Sequence, residues 1–329
     1  MKLRINLQKI ITPSIFLTMF TFVVSISAWL FFYYVNPVSH SMKGNLGVFA
    51  ETIIPSQSFL AHVITLVLAI IMALLITQIN NKYSFINTRS FLHTFLFLLL
   101  STSLVTTHGN YLTYLAALLV MYSIYLFFDN YGKENGTEIA FLGFIFLKIY
   151  FSFTYTRIFL IPLFWIGFYQ IRALSFRTFF ASIFGFLVPW LAIYVYIYFS
   201  TNQLYFYPEF LSVFNNLSII HFKNTQSIIY GVFILVIILI LLTNVASRTN
   251  REAIKTRKML FFFQTIGFGL LLLIVFASPN FRAYIPLGLS IFSIFASYTF
   301  TFQRSFFYSI LFILLCLVSV SFAIVLLIQ

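Results

Sequence analysis

Ionisable side chains are scarce in this sequence, and their placement limits the chemistry it can do. Only six acids occur in 329 residues. Asp129, Glu134, Glu138 and Glu252 fall in connections that the charge pattern assigns to the cytoplasm, which leaves Glu51 and Glu209 for the opposite side. Lys148 stands inside an apolar stretch, Phe146-Leu147-Lys148-Ile149-Tyr150, while Arg157 marks a short outer turn and Arg282 closes Pro279-Asn280-Phe281-Arg282. A charge at membrane depth costs at least about 2.5 kcal/mol on insertion scales, so Lys148 must snorkel outward or face a polar interior. Two or three such cations can hold a lipid phosphate or pyrophosphate, and a carboxylate can act as base toward an incoming hydroxyl. In that reading Glu51 is the base, and Lys148, Arg157, Arg282, His108 and Glu209 surround the phosphate at the outer membrane-water boundary. The alternative is that Lys148 snorkels while Arg157 and Arg282 touch phospholipid head groups nonspecifically.

Other chemistries find little support. There is no phosphate-cradling GxxxxGK[ST], no HExxH, no GxSxG and no GxGxxG after a strand. The histidines at 40, 62, 93, 108 and 221 lack ligand spacing and read as hydrogen-bonded helix-end residues. The single cysteine, Cys316, sits in an apolar run, so no intrachain disulfide or cysteine metal site can form. No metal and no cofactor is implied.

The elements that would position these residues are membrane helices. With 61% hydrophobic and 8% charged residues, the chain departs far from soluble domains, in which about a quarter of residues are charged. Apolar runs predict spans at 12–35, 58–79, 91–107, 111–128, 139–154, 158–171, 178–199, 227–247, 260–278, 284–301 and 306–328. The third to sixth are short, so nine to eleven crossings are expected in one all-α transmembrane bundle covering residues 1–329. The stretch 15–35 follows Lys2, Arg4 and Lys9 and is too long for a signal-peptide core of about 7–15 residues. It reads as the first retained helix, with the N-terminus in the cytoplasm.

That orientation leaves only Lys43, Lys148, Arg157, Lys223 and Arg282 of nineteen cations on the outer side, as the positive-inside rule requires. The basic cytoplasmic connection 248–259 is the strongest anchor, suited to anionic lipid head groups. The net charge of +13 is spread one connection at a time, which argues against nucleic acid. Tyr33, Tyr34, Tyr111 and Tyr150 fall near outer helix ends, where amphipathic rings favour the head-group layer, and the 46 Phe are expected mainly on lipid-facing surface. Two outer connections, 36–57 and 200–226, exceed a tight turn. In the second, Phe210, Val213, Phe214, Leu217, Ile220 and His221 share a face opposite Glu209, Ser212, Asn215 and Asn216, a pattern suited to lying in the interface.

From Ala140 to Phe199 the sequence resembles an uncharacterised family of polytopic inner-membrane proteins of Bacteroidota, some of which carry a beta-carotene monooxygenase label. Gly143, Pro162, Arg172, Phe176-Arg177, Gly185 and Pro189 are the landmarks, and Asn80–Arg89 and Thr107-His108-Gly109-Asn110 extend the likeness. The resemblance implies residence in the bacterial inner membrane and no particular activity. An iron oxygenase would need converging histidines, which the sequence does not offer. At greater distance the same stretch is similar to GT-C type glycosyltransferases that use polyprenyl-phosphate sugars. That similarity implies an acidic residue of the first outer loop as catalytic base, a place that only Glu51 fills. The family usually has an Asp or an acidic pair there, so a catalytically silent relative is also compatible.

Three functions therefore compete: a transferase using or binding a polyprenyl-phosphate lipid at the outer leaflet, a non-catalytic membrane subunit of an envelope or secretion assembly with protein partners, and a transporter. The transporter ranks last because no internal repeat is visible.

Overall fold

The structure, a computed structural model, describes residues 15–35, 54–86, 91–133, 136–152, 160–201, 225–276, 282–303 and 305–328. Among these residues there are eleven α-helices and no strands. They are α1 (Ile15–Val35), α2 (Phe59–Tyr83), α3 (Leu92–Ser103), α4 (Tyr111–Asp129), α5 (Thr137–Ser152), α6 (Ile161–Gln170), α7 (Phe176–Thr201), α8 (Thr225–Thr249), α9 (Ile254–Phe276), α10 (Ile285–Phe302) and α11 (Phe306–Ile328). Each expected span overlaps one helix. Six are long and apolar enough to cross a bilayer: α2, α4, α8, α9, α10 and α11.

Local sequence sets the helix ends. Ser58 caps α2 by accepting from the Ala61 N–H at 3.1 Å. Pro162 and Pro286 open α6 and α10, where a missing N–H costs nothing. α2 stops at Ser84 and α6 is followed by Arg172, both in the left-handed region at φ 51° and 56°. Pro189 lies inside α7, where it removes one backbone hydrogen bond.

α10 is the axis of the bundle. It packs against α2, α3, α4, α8, α9 and α11, and every residue from Leu289 to Phe300 is buried. Its small face carries Ser290, Ser293 and Ser297, whose hydroxyls donate back to carbonyls three residues earlier, so helices can approach it without stranding polar groups. α5 is wedged between α4 and α7. At Gly185 an added Cβ would stand 2.3 Å from the Phe141 carbonyl oxygen, so α5 and α7 meet backbone to backbone.

The phenylalanines depart from the expectation of a lipid-facing surplus. Phe85, Phe127, Phe128, Phe144, Phe164, Phe168, Phe262 and Phe263 are buried and meet largely edge to face, for example Phe127 on Phe168 with centroids 4.6 Å apart. Their negative faces and positive edges complement one another, which makes Phe a specific packing residue here. Many others, such as Phe176, Phe184 and Phe199, do face outward.

The two ends of the bundle differ. Lys82, closing α2, pairs with Asp129, closing α4, at 2.6 Å, and Lys255 near the start of α9 lies 5.6 Å from the Tyr83 ring centroid. We call this the basic end; the positive-inside rule expects it in the cytoplasm. The start of α4 lies about 28 Å away along that helix at 1.5 Å per residue.

Candidate functional site

α3 is a short core helix. Its twelve residues rise only about 18 Å, too little to cross about 30 Å of hydrocarbon alone. The sequence predicts a helix through 107, but Ser101 and Ser103 donate to the Leu98 and Leu100 carbonyls at 3.0 and 2.8 Å, and Thr107 to that of Leu104 at 2.9 Å. Such local bonds compete with the helical ladder. The chain leaves α3 through a 3-10 turn, Val105–Thr107, and reaches α4 by way of His108, Gly109 and Asn110, all buried. Non-helical backbone is tolerated in a membrane bundle where protein encloses it, and broken helices of this kind mark ligand sites in membrane proteins.

His108 turns back into the bundle. Its Nε2 lies 3.2 Å from the Ser101 carbonyl oxygen, so that nitrogen carries the proton and Nδ1 presents a lone pair. Trp29 of α1 stacks on the imidazole, with centroids 3.7 Å apart and planes 13° from parallel. Phe32 meets it edge-on at 5.6 Å, and Tyr114 stands edge-on to Trp29 at 6.0 Å. The Tyr114 hydroxyl lies 3.2 Å from Thr107 Oγ1. Gly109 has φ 78°, and a Cβ there would fall 2.6 Å from His62 Cε1 and 2.7 Å from the Ser56 carbonyl oxygen, so both its conformation and its closeness demand glycine. His62 itself is held by Nδ1 donating to the Ser58 carbonyl at 3.2 Å. Burial pushes His108 down to about 3, which keeps the imidazole neutral at physiological pH.

The expected site residues are distributed as follows. His108 is at the centre of this cluster. Lys148 is half-buried in α5, its Nζ 4.8 Å from the centroid of the Phe186 ring of α7. Ser123 of α4 donates to the Gly143 carbonyl at 3.1 Å, which sets the height of α5. Six residues from Asp129 to Ser123 and five from Gly143 to Lys148 place Lys148 about 16 Å above the basic end, near mid-height. Arg282 is half-buried and directly precedes the end of α10 remote from the basic end. Glu51, Arg157 and Glu209 lie outside the described residues, as do most of the connections 36–57 and 200–226.

Trp29, His62 and Tyr114 were not among the candidates that sequence reasoning picks out. The one signal for them was the run Ser101-Thr102-Ser103 ahead of Thr107-His108-Gly109-Asn110, polar residues where an apolar helix should continue. Tyr111 and Tyr150 turn into the bundle, while Tyr34 is exposed. Among the described residues, no three His, Cys, Asp or Glu side chains converge as metal ligands.

The basic end is built differently. Asp129 accepts from Lys82 Nζ and from the Tyr83 hydroxyl at 2.7 Å each, and Lys82 also donates to the Tyr125 hydroxyl at 3.0 Å. Tyr298 donates to Glu252 at 2.6 Å, while Asn244 bridges α8 to Gln303 and Tyr308. These bonds tie helix ends together, and all acids among the described residues other than Glu138 take part in them.

Compared with known proteins, the chain matches no family model, no curated protein and no solved structure.

Proposed function

We propose that this multi-pass membrane protein, with its six long apolar helices set in an all-α bundle, binds a polyprenyl-phosphate-linked substrate at the outer leaflet, as a small GT-C-like transferase or a catalytically silent relative of one. The observation that carries this reading is Lys148. An ammonium group near mid-height is costly to insert and marks a functional position by default. The face of the Phe186 ring, 4.8 Å from the Lys148 Nζ, favours the charged form. A lipid-borne phosphate is the anion that such a cation recognises, and Arg282 at the remote end adds a second cation on the same side of the basic anchor. Glu51 is the base in this reading, acting on an acceptor hydroxyl. The residence is the bacterial inner membrane.

The test is binding of a polyprenyl phosphate to the full chain in nanodiscs, comparing wild type with Lys148→Met and Lys148→Arg. At least tenfold weaker binding to Lys148→Met with partial retention in Lys148→Arg is expected. Equal binding by all three returns Lys148 to a snorkelling role.

A second reading, a non-catalytic subunit of an envelope or secretion assembly, is favoured by the filled axis: every residue of α10 from Leu289 to Phe300 is buried. Stoichiometric co-purification of other membrane proteins in mild detergent, with no polyprenyl-phosphate binding, would select it.

A further inference from the structure

Two ring nitrogens in the Trp29-His108 stack have no hydrogen-bond partner, although both side chains are almost wholly buried, at 1% and 2% exposure. They are of opposite kind. Trp29 Nε1 can only donate, and His108 Nδ1 can only accept because Nε2 holds the proton that faces Ser101. Near-parallel rings with centroids 3.7 Å apart keep the two nitrogens at most about 6 Å from each other, close to the span that one oxygen with two bonds of about 2.8 Å bridges. Thr102 Oγ1, beside Ser101, is buried and unpaired as well. Leaving such groups unmade costs about 1–3 kcal/mol each, so the two unpaired nitrogens of one ring stack call for a partner.

The required partner has a narrow description. An anion would be repelled by the Nδ1 lone pair, and an ammonium would be repelled by the indole N–H. A hydroxyl does both jobs. We propose that Trp29 Nε1 and His108 Nδ1 together bind one hydroxyl group, which accepts from the indole and donates to the imidazole. The hydroxyl belongs to an alcohol within the bilayer or to a buried water; the shared chemistry is one O–H group with both roles. The bonding is non-covalent and the proton stays on oxygen, since the neutral imidazole is too deeply buried to take it. This site stands apart from Lys148 and does not depend on the transferase reading.

The indole N–H resonances of 15N-tryptophan-labelled full-length protein test it. Trp165 Nε1 donates to Ser182 Oγ at 3.1 Å and serves as an internal reference for a bonded indole. Trp29→Phe assigns the signal of interest. His108→Gln retains a donor for the Ser101 carbonyl and removes the Nδ1 acceptor. The expected result is a downfield, bonded position for Trp29 in wild type that moves upfield in His108→Gln, while the Trp165 signal stays put and so reports an intact fold. A saturable shift on titration with 1-octanol, lost in His108→Gln, assigns the hydroxyl to an alcohol; a bonded position indifferent to octanol assigns it to water. An unbonded Trp29 position in wild type overturns the proposal, as does a bonded position unmoved in a folded His108→Gln.

Discussion

The indole of Trp29 lies flat on the imidazole of His108, 3.7 Å between centroids, and through that contact α1 is fastened to the irregular segment between α3 and α4. Neither residue is at a helix terminus that touches the other in sequence. The stack exists because α3 ends early and lets His108 fold back toward Ser101.

Removing either ring should therefore loosen more than one helix. Trp29→Ala is expected to cost about 3–5 kcal/mol, as large core truncations do, and His108→Ala about 2–4 kcal/mol. Reversible unfolding in mixed micelles measures both, and the double variant should cost less than the sum because the partners touch.

Acid should weaken the fold through His108. Its folded value of about 3 lies below the unfolded value of about 6.5, so the unfolded state binds the proton first. The contribution is fully present above pH 6.5 and is lost as pH falls from there toward 3, by at most about 1.4 kcal/mol per pH unit. His108→Gln should show a shallower decline over that window than wild type; parallel curves would contradict the burial.

Gly185 and Gly267 should respond unequally to alanine. At Gly185 the new methyl would stand 2.3 Å from backbone, the Phe141 carbonyl, and α5 and α7 must move apart, whereas at Gly267 it would meet side-chain atoms of Ile291 and Phe295 at 3.3 and 3.4 Å. Overpacking of the first kind costs about 1–3 kcal/mol. Thermal melts of Gly185→Ala and Gly267→Ala should rank the first well below the second.

The Lys82–Asp129 pair is partly exposed, 40% and 31% for the two side chains, so its coupling should be at most about 1 kcal/mol. Asp129→Asn should cost more than Lys82→Met, because it also weakens the bond from the Tyr83 hydroxyl. A double-mutant cycle on Lys82 and Asp129 measures the coupling.

The sequence makes the helices legible because membrane insertion demands a long apolar run for each, and turn residues such as Arg172 and Ser84 fall between runs. The end of α3 was harder: hydropathy sees Ser and Thr as small interruptions, while three hydroxyls bonded to nearby carbonyls decide where the helix stops. Composition is equally blind to the edge-to-face contacts that draw Phe127, Phe128 and Phe262 into the core, because lipid and protein interiors select the same side chains. Lys148 was visible at once, since a lysine between Leu147 and Ile149 has no apolar explanation. Its counterpart Trp29 was not, since a tryptophan in an apolar helix needs none.

The most direct test of the account is photo-crosslinking with a diazirine-bearing polyprenyl phosphate in nanodiscs, followed by peptide mapping. Labelling is expected within 137–152 and 282–303, reduced in Lys148→Met and competed by unlabelled polyprenyl phosphate. Labelling confined to the basic end around Lys82 and Lys255, or labelling indifferent to both Lys148→Met and competitor, would contradict it.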